Sequence, residues 1–499
     1  DPEKKPFIWE IDFAEIFGEK GGFDIVIGNP PYVRQENISP PNRIKSEVSL
    51  DDKREYKDKL IKSVKERFPM VKRIDKRSDY YIYFYFHGLS LLNDNGTFCF
   101  ITSNSWLDVG YGKALQEFLL EYIPIIAIYD NPKRSFEHAD VNTIIALFGS
   151  PKTSNSRGFK EKENEYPMLN HTAKFVMFKK PFEPVINPKN LIEIENTVAS
   201  SGEELPELAE NIVITEDYRV FPVLQKDLLR LGSEKGTYKG DKWGGKYLRA
   251  PDIYFKILKN GKNSLVKLRD IAQIHAGIIT GNNKYYYKER TENFNGDVYS
   301  LVFKSPKEVK KILLTKEDAS SIIKVQNVPF KIRKAPLLWV DLRGDKHICH
   351  FNQDLLPFEH NFYGIWGKKV EDPVLCLVLN STISWLLVET LGRKGLGGGA
   401  IRLVKKDLLD FPIIKDINID PSKHERLLLR DMLSVFKELG IDPNKPIRDQ
   451  EPNPLPDRKA LDDIVFDALG LTADERKEVY WAVAELVKQR LDKAKSIKR

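Results

Sequence analysis

A rigid loop rich in hydrogen-bond acceptors follows a short apolar run near the start of the chain. The run 25–27 is β-branched and is bounded by Gly28 and two prolines, a pattern typical of a buried parallel strand that ends sharply in a loop. Pro30 restricts Asn29 to an extended conformation, and Pro30 and Pro31 together fix two successive φ angles and remove two donors. The oxygens of Asn29 and Pro30 are therefore expected at the carboxyl end of a strand, where open α/β sheets bind ligands.

Tyr32 adds an aromatic face beside these acceptors, and the combination suits a planar amine. Acceptors in the plane of a ring can hold both hydrogens of an exocyclic NH2 group while Tyr32 stacks on the ring. The nitrogen lone pair is then free to attack. A proline-stiffened turn without a chemical role is the alternative interpretation of an isolated Asn-Pro-Pro, but the complete tetrad 29–32 after a strand is much more specific.

The tetrad Asn29-Pro30-Pro31-Tyr32 resembles the catalytic loop of amino-group methyltransferases that use S-adenosylmethionine, in particular the DNA adenine-N6 enzymes. The resemblance implies an α/β fold: the carboxyl-terminal half of a Rossmann-like methyltransferase sheet, followed by an α+β target-recognition domain and a helical tail. It implies that Asn29 and the Pro30 carbonyl accept from the amino group of an adenine flipped out of double-stranded DNA, and that Tyr32 stacks on its ring. S-adenosylmethionine is the implied cofactor.

The resemblance continues through the next hundred residues. The family has a helix, a strand that ends in a polar loop, and a closing hairpin in this order. Here 79–92 is apolar nearly all round and predicts a buried helix. The segment 97–102 predicts a strand that ends in the polar loop 103–107, and 122–129 and 141–148 predict the two strands of a hairpin.

Further pocket residues are suggested at three positions. Phe136 precedes the last predicted strand, where many of these enzymes carry an aromatic residue that packs on the flipped base. A hydrophobic residue at the hairpin edge is an equally supported interpretation of Phe136. Asp24 and Asn104 are further candidates to line the pocket. We assign no general base, because the sulfonium of the donor is already activated and the protein mainly supplies orientation and electrostatics.

The cofactor-binding half of such a fold is not evident before the first strand. Gly18, Gly21 and Gly22 precede the strand, whereas a glycine-rich nucleotide-binding turn follows one. In the family the tetrad follows the fourth strand. We therefore expect an upstream segment or a separate subunit to supply the cofactor-binding half, and in the combined restriction-modification enzymes the upstream part also contains a nuclease. The cofactor-binding residues are unknown, and this chain alone is expected to bind S-adenosylmethionine poorly, which leaves open whether it is active by itself.

Composition and turn signals divide the chain into four regions. Residues 1–150 are the catalytic half of the methyltransferase domain, and 151–244 are a connector. Residues 245–415 resemble the target-recognition domain of modification enzymes and specificity subunits, and 416–499 form a helical carboxyl-terminal region. Within the last two regions, the patterns predict one helix over 372–388 and one leucine-rich amphipathic helix over 421–440, which ends at Gly440.

Two segments of the recognition region are candidates to contact DNA. One is a Gly-Ile-Ile-Thr-Gly turn followed by amide, lysine and tyrosine residues, which can contact base edges and phosphates, although tyrosine runs are also common in sheets. The other is the glycine run 395–399 with its basic neighbours. It lacks the Gly-Lys-Ser/Thr ending of a nucleotide loop, so a DNA-facing loop is favoured. The candidate DNA contacts are Thr280, Asn282, Asn283, Lys284, Tyr285, Arg393, Lys394 and Arg402.

Length and composition set outer bounds on these interpretations. The 499 residues correspond to roughly three domains. The net charge of +7 permits a polyanionic partner without requiring one. The sequence contains no apolar run near the ~18 residues of a membrane span, so no membrane partner is expected. Its three widely spaced cysteines favour the reducing cytoplasm over disulfides or a structural zinc site. His347, Cys349 and His350 are close in sequence, but their alternation favours a strand, and no metal site is assigned.

Other function classes were weighed against these patterns. Asp457 with Glu475 and Lys477 imitates the metal site of restriction nucleases, but a capping box over 472–475 accounts for Glu475. The same tetrad serves enzymes that methylate a glutamine amide in proteins, although those chains are shorter and lack a large recognition module. A DNA-binding specificity module without activity of its own is the other alternative.

Overall fold

The computed structural model divides into two compact units, residues 1–249 and 250–499. The structure describes residues 7–41, 43–108, 110–130, 142–152, 168–199, 211–291, 294–393 and 399–496.

The first unit contains a mixed sheet that carries the predicted catalytic loop. Its strands are β1 (Phe23–Gly28), β2 (Leu92–Ser103), β3 (Ile125–Asp130), β4 (Thr143–Gly149), β5 (Thr172–Phe178), β6 (Val213–Ile214), β7 (Tyr218–Leu224), β8 (Ser233–Glu234) and β9 (Thr237–Tyr238). Among the residues that the structure describes, seven strands join in the order β1-β2-β4-β3-β5-β7-β6, and β8 pairs with β9. β1 is parallel to β2, and β4 is antiparallel to both β2 and β3. The predicted strand, polar loop and hairpin are therefore confirmed in this order.

Helices cover the sheet of the first unit or connect its strands. They are α1 (Trp9–Asp12), α2 (Ala14–Lys20), α3 (Leu50–Arg67), α4 (Tyr80–Leu89), α5 (Lys113–Tyr122), α6 (Phe182–Val185), α7 (Pro188–Asn196) and α8 (Gln225–Leu231). The buried helix predicted over 79–92 is confirmed as α4. Its residues Ile82, Tyr85 and Phe86 are almost wholly buried, since a helix that is apolar on every side must be covered on every side.

The burial predicted for β1 is wrong within this chain. β1 has the expected position and is parallel to β2, but it is the edge strand of the sheet. The side chains of Ile25 and Ile27 are 67% and 77% exposed. They are two positions apart in the strand, so their side chains lie on the same face of the sheet. No described residue covers that face. The sequence pattern correctly predicted a strand, but among the described residues β1 has one neighbouring strand and its face with Ile25 and Ile27 stays exposed.

The segment predicted as a connector, 151–244, contributes to the same sheet. β5 pairs in parallel with β3, and β7 pairs antiparallel with β5 along its whole length. Every residue of β7 is buried. Gln225 follows β7 and fixes the end of α5, because its side chain donates to the carbonyls of Leu119, Leu120 and Ile123. These residues thus extend the first unit up to Arg249.

The second unit is a mixed α/β structure of small sheets and helices. Its strands are β10 (Leu265–Lys267), β11 (Ala272–Ala276), β12 (Tyr287–Glu289), β13 (Tyr299–Val302), β14 (Leu313–Leu314), β15 (Ser321–Lys324), β16 (Leu337–Val340), β17 (Leu342–Arg343), β18 (Cys349–Asn352), β19 (Phe362–Gly367), β20 (Ile401–Arg402) and β21 (Pro412–Ile414). In the described part of this unit, β11-β19-β16-β18-β14 form a five-stranded sheet and β12-β15-β13 a three-stranded one. β10 pairs with β21, and β17 pairs with β20.

The helices of the second unit are concentrated toward its carboxyl end. They are α9 (Asp252–Asn260), α10 (Leu268–Ile271), α11 (Asn283–Tyr286), α12 (Asp372–Leu379), α13 (Thr382–Leu391), α14 (Lys405–Leu409), α15 (Glu425–Leu429), α16 (Val435–Leu439), α17 (Pro456–Ala468) and α18 (Ala473–Ser496). The predicted capping box begins α18: Thr472 N–H donates to Glu475, and Glu475 N–H donates to the Thr472 hydroxyl. Gly440 ends α16 at φ 64°, as its position predicted.

The single helix predicted over 372–388 is wrong, because the segment forms α12 and α13 with a bend of 63° between them. The buried Asn380 side chain lies at the bend and bonds both the N–H and the carbonyl of Cys349. Ser381 then caps α13 by accepting from Ser384 N–H. None of the described helices alone is long and apolar enough to cross a membrane, although α12 and α13 together meet the length and composition criteria.

The single helix predicted over 421–440 is also wrong. A 3-10 turn, Pro421–His424, leads into α15, and Arg430 then leaves the helix in an extended conformation before α16 begins. The Arg430 guanidinium lies between Glu438 and Asp457, with N–O distances of 2.6 Å to each. These ion pairs come from residues 8 and 27 positions away and hold the chain out of helical geometry.

Candidate active site

The predicted catalytic loop, Asn29 to Tyr32, leaves the sheet at the carboxyl end of β1. Because β1 and β2 are parallel, the polar loop after β2 leaves at the same edge. Gly28 pairs with Phe100, and a Cβ on Gly28 would lie 2.9 Å from the Phe100 ring. Any larger residue at position 28 would push the start of the loop away from β2. The glycine therefore sets the distance at which the loop passes β2.

The residues of the tetrad differ in exposure. Asn29 and Pro31 are exposed, Pro30 is buried, and Tyr32 is half-buried. The Tyr32 hydroxyl donates to the main-chain carbonyl of Ile101 at 3.2 Å, which ties the aromatic ring to β2. Burial raises the pKa of Tyr32 to about 12, so its phenol is neutral at ordinary pH. The loop therefore combines an exposed amide, a buried proline and a fixed neutral phenol.

The loop after β2 forms the second side of the candidate site at this edge of the sheet. Asn104 begins a 3-10 turn, Asn104–Leu107, and its N–H donates to the Asn142 carbonyl at 2.9 Å. Asp108 ends the turn and anchors it, since its carboxylate pairs with Arg249 and accepts from Gly245 N–H. The Arg249 pKa is raised by this carboxylate, although burial opposes the shift. Asn104 is thus placed at the same edge as Asn29.

Asp24 does not lie at this edge. It occupies the second position of β1, at the opposite end of the strand from the tetrad. Its carboxylate pairs with Lys20 at 3.0 Å and accepts from the Asn93 amide at 2.6 Å. Asp24 lies four positions before Gly28, which in an extended strand is a distance of about 13 Å. The suggestion that Asp24 lines the pocket is therefore wrong.

Two candidate residues, Phe136 and Lys394, lie outside the described residues. The other candidates of the second unit fall into two groups. Thr280, Asn282 and Asn283 build the turn that leads into α11. The Thr280 hydroxyl bonds Asn283 at 2.5 Å, and the Asn282 side chain caps α11 by accepting from Tyr285 N–H.

Tyr285 projects from this turn and is 57% exposed. Ile279, two residues before the turn glycine, is 67% exposed. Lys324 Nζ lies 5.3 Å from the centre of the Tyr285 ring, a cation–π contact. Lys284, next in sequence, is also exposed. The turn and the start of α11 therefore present an aromatic ring, an aliphatic side chain and Lys284 to solvent, with the half-buried Lys324 of β15 beside the ring.

Arg393 and Arg402 are both held by carboxylates. Arg393 pairs with Asp407 at 3.2 Å, and Arg402 pairs with Asp341 at 2.6 Å. The main chains of the two arginines also bond each other in an antiparallel bridge. These pairs order the base of the glycine run and leave the arginines partly neutralised.

A group of basic residues that the sequence did not single out surrounds the end of β11. Partial burial and the charges of Lys405, Arg333 and Lys331 lower the pKa of His275. Arg333 donates to the carbonyl of Ala276 at 3.2 Å. Lys331 and Arg333 are two residues apart, but Lys405 and His275 lie far from them in sequence, so only the fold brings the group together. The turn that carries Thr280 starts immediately after this strand.

The apparent metal and nuclease motifs have structural roles. His347 Nε2 lies 2.8 Å from the buried carboxylate of Glu389, and His350 Nδ1 lies 2.7 Å from the Lys311 carbonyl. In the described ranges, no group of three or more potential ligands is placed to hold a metal ion. Asp457 pairs with Arg430, and Glu475 forms the cap of α18.

Comparison with known proteins found similar sequences among restriction-modification methyltransferases. Residues 1–136 match the family model described as Eco57I restriction-modification methylase. The type II methyltransferase M.BstVI from Geobacillus stearothermophilus is 32% identical over 141 residues, which cover 28% of this chain and 21% of that protein. The type II methyltransferase M.XhoI from Xanthomonas vasicola is 23% identical over 401 residues, covering 75% of this chain and 66% of that protein. Parts of the chain are thus similar to type II restriction-modification methyltransferases.

Among solved structures, the type IIL restriction-modification enzyme MmeI, determined in complex with DNA, is similar over 97% of this chain and 59% of its own, with 12% sequence identity and a TM-score of 0.43. The matched regions of the two curated relatives amount to between about a fifth and two thirds of their length.

Proposed function

We propose that this chain forms the catalytic loop and the target-recognition region of a site-specific DNA methyltransferase in a restriction-modification system. The reaction transfers a methyl group from S-adenosylmethionine to the N6 amino group of a flipped adenine. The observation that carries the proposal is the tetrad Asn29–Tyr32 at the carboxyl end of β1, with Asn29 exposed and Tyr32 anchored to β2. The type II methyltransferases among its relatives agree with it.

The residues of the loop would hold the base rather than change its protonation. The Asn29 side chain and the Pro30 carbonyl accept the two hydrogens of the amino group, so that its lone pair points away from them. Tyr32 stacks on the purine and offsets part of the few kcal/mol that flipping costs. S-adenosylmethionine supplies a methyl group on a positively charged sulfur, so no strong base is required. Phe136 is proposed as a second stacking residue.

The glycines before β1 do not form the glycine-rich turn of a site for S-adenosylmethionine. Gly21 ends α2 in a left-handed conformation, and Gly22 packs so closely on the Leu91 carbonyl that a Cβ would lie 2.6 Å from it. Both glycines therefore serve the entry to β1 and form no loop after a strand. We derive no step of the reaction from contacts between this chain and the donor.

An additional segment is proposed to bind the donor and to pair with β1. β1 is an edge strand, and the exposed isoleucines Ile25 and Ile27 lie on one face of it. An exposed, apolar edge strand promotes pairing with another strand. The proposed occupant is the cofactor-binding half of the methyltransferase, either upstream in the same polypeptide or in a second subunit. The sheet of the first unit would then be the carboxyl-terminal half of a Rossmann-like sheet.

Double-stranded DNA is the proposed partner of the second unit. The turn with Thr280, Asn282 and Asn283 presents Lys284 and Tyr285, which suit contacts to base edges and sugars. We also propose a set of phosphate-binding cations, Lys331, Arg333 and Lys405, at the end of β11 next to this turn. Phosphate contacts position a protein on DNA, and base contacts then select the sequence. Arg393, Lys394 and Arg402, which flank the glycine run 395–399, are also proposed to contact DNA.

The proposal is tested by methyl transfer from labelled S-adenosylmethionine to duplex DNA, with the enzyme expressed from its complete gene. Digestion of the product to nucleosides should give N6-methyladenine. Label in N4-methylcytosine would retain DNA methylation but refute adenine specificity. Label in protein glutamine would refute the DNA substrate altogether.

A specificity module without activity is the second candidate, because the glycines before β1 do not form the glycine-rich turn of a site for the donor. It predicts sequence-specific DNA binding by the product of the complete gene and no transfer of label to any substrate. The same assay therefore separates the two functions.

A further inference from the structure

Asp79 occupies the N-cap position of α4 but does not cap the helix. Its backbone is extended, as an N-cap requires, yet its side chain accepts no hydrogen bond from the first turn. Aspartate is among the best N-cap residues, because its carboxylate can accept from the exposed N–H groups of the first turn. The carboxylate oxygens of Asp79 bond other residues instead, so α4 lacks the stabilisation that an N-cap side chain would give.

Both oxygens of Asp79 are directed toward the catalytic loop and its surroundings. Oδ1 accepts from the main-chain N–H of Gln35 at 2.9 Å, and Oδ2 accepts from the Tyr111 hydroxyl at 2.8 Å. The Tyr111 hydroxyl in turn lies 2.9 Å from the hydroxyl of the buried Tyr81. Gln35 is only three residues after Tyr32, so this carboxylate fixes the main chain within about 10 Å of the tetrad.

A second bond joins the same two elements. The N–H of Tyr80, the first residue of α4, donates to the Val33 carbonyl at 2.9 Å. The segment that leaves the tetrad is therefore bonded at Val33 and at Gln35 to two consecutive residues at the start of one helix.

The insertion between β1 and α4 holds the loop from another side. Lys57 on α3 donates to the Gln35 side chain at 2.9 Å, and Lys53 donates to the Glu36 carbonyl at 3.0 Å. Lys57 is buried, and burial lowers its pKa, although Glu36 and Asp79 oppose the shift. The Lys57 ammonium therefore gives up solvation to bond this segment.

We infer that Asp79 is a positioning residue for methyl transfer, which fixes the exit of the catalytic loop so that Asn29 and the Pro30 carbonyl keep their geometry toward the amino group. The inference rests on the proposed function. Pro30 and Pro31 stiffen the loop internally, but stiffness alone does not fix its direction. The bonds at Val33 and Gln35 supply that direction. A misplacement of 1 Å in a reacting geometry can cost about 100-fold in rate.

Serine at this position separates positioning from helix stability. Asp79→Ser retains a strong N-cap residue whose short side chain favours the first turn of α4 and does not span to Gln35 and Tyr111. Asp79→Asn keeps an acceptor for Gln35 N–H and a donor for the Tyr111 oxygen. Asp75→Ser is the matched control, because Asp75 is nearby and its carboxylate accepts from the N–H and the guanidinium of Arg77.

The experiment uses the enzyme expressed from its complete gene, with its DNA substrate. Four quantities are measured for each variant: the single-turnover rate of methyl transfer, the Kd for DNA, amide hydrogen exchange at Gln35, and the midpoint of thermal unfolding. Asp79→Ser is expected to speed exchange at Gln35 at least tenfold and to slow transfer about 10- to 100-fold. Its Kd and unfolding midpoint should stay close to wild type. Asp79→Asn and Asp75→Ser should retain transfer within about threefold.

Two results would overturn the inference while the proposed function stands. One is wild-type transfer by Asp79→Ser, with or without faster exchange at Gln35. The other is a loss of transfer that accompanies a lower unfolding midpoint and also appears in Asp79→Asn, which would make the carboxylate a stability element. If the wild-type enzyme transfers no methyl group, the proposed function itself fails, and the inference fails with it.

Discussion

The Tyr32 hydroxyl donates to the carbonyl of Ile101, 3.2 Å away, and so joins the catalytic loop to the adjacent strand β2. The bond uses the hydroxyl of Tyr32, whereas stacking on a base would use the face of its ring. In the proposed enzyme the hydroxyl is therefore an anchor and the ring is the functional part. This division separates the effects of two substitutions at one position.

Tyr32→Phe keeps the ring and removes the anchor, so it should lower transfer only a few-fold and cost about 1 kcal/mol of unfolding free energy. Tyr32→Ala removes the ring as well and should slow single-turnover transfer about 10- to 100-fold, the worth of one stacking contact. Tyr56→Phe, which removes the hydroxyl that contacts Tyr80, is the control for loss of a tyrosine hydroxyl. Equal losses for Tyr32→Phe and Tyr32→Ala would show that the ring has no role in stacking.

The exposed face of β1 gives a prediction about assembly. Ile25→Lys with Ile27→Lys should change the unfolding free energy of the 499-residue chain by less than about 0.5 kcal/mol, because both side chains are exposed. The same pair in the complete enzyme should abolish methyl transfer, since the cofactor-binding half could no longer cover this face. Ile214→Lys is the matched control, at the opposite edge of the same sheet and 51% exposed. Full activity of the double variant would show that the cofactor-binding half does not cover this face of β1.

The cations at the end of β11 should determine part of the salt dependence of DNA binding. Each phosphate contact contributes about 0.9 to the slope of log K against log salt. Lys331→Gln with Arg333→Gln and Lys405→Gln should lower that slope by up to about 2.7 and weaken binding equally for specific and random duplexes. Fluorescence anisotropy over a range of salt concentrations measures both quantities.

A charge-matched control replaces three exposed lysines elsewhere in the second unit. Lys262→Gln, Lys423→Gln and Lys437→Gln together remove the same charge, and the slope should change much less. Equal slopes for the two triple variants would mean that the basic residues near His275 contact no phosphate.

The buried carboxylate of Glu389 should dominate the acid sensitivity of the second unit. Burial alone would raise its pKa, but the bonds to His347 and Arg490 lower the pKa to about 2, from an ordinary 4.5. The associated stability is therefore present above pH 4.5 and is lost as the pH falls from 4.5 to about 2. Glu389→Gln should remove this part of the pH dependence and destabilise the unit by about 3 to 5 kcal/mol at neutral pH, because Arg490 stays buried without its carboxylate.

Urea unfolding at several pH values measures this effect. Glu317→Gln is the control, since Glu317 is exposed and its pair with Arg290 should contribute less than about 1 kcal/mol. A cost for Glu389→Gln as small as that of Glu317→Gln would contradict the account of this ion pair.

Local patterns in the sequence predicted the parts of the fold that depend on neighbouring residues. The strand before Asn29, the buried helix α4 and the cap of α18 all follow from apolar periodicity or from a capping motif. The break at Arg430 could not be predicted in this way, because the carboxylate of Asp457 that helps to hold it lies 27 residues away.

The candidate site shows the same division. The tetrad is a local motif, and its place at the end of β1 follows from the prolines and the strand. The role of Asp79 does not follow from a local pattern, because an aspartate before a helix indicates a cap. Its bonds to Gln35 and Tyr111 span 44 and 32 residues. The exposure of Ile25 depends on whether another strand pairs with β1, which no local pattern in this chain can indicate.

The most direct test of the central claim is methyl transfer by Asn29→Ala in the enzyme expressed from its complete gene, measured together with specific DNA binding. Because Asn29 is exposed and would act only on the amino group, transfer to adenine should fall by at least about 100-fold while the Kd for the recognition duplex stays within about twofold. Transfer at the wild-type rate, or an equal loss of binding and transfer, would contradict the claim that this side chain holds the amine.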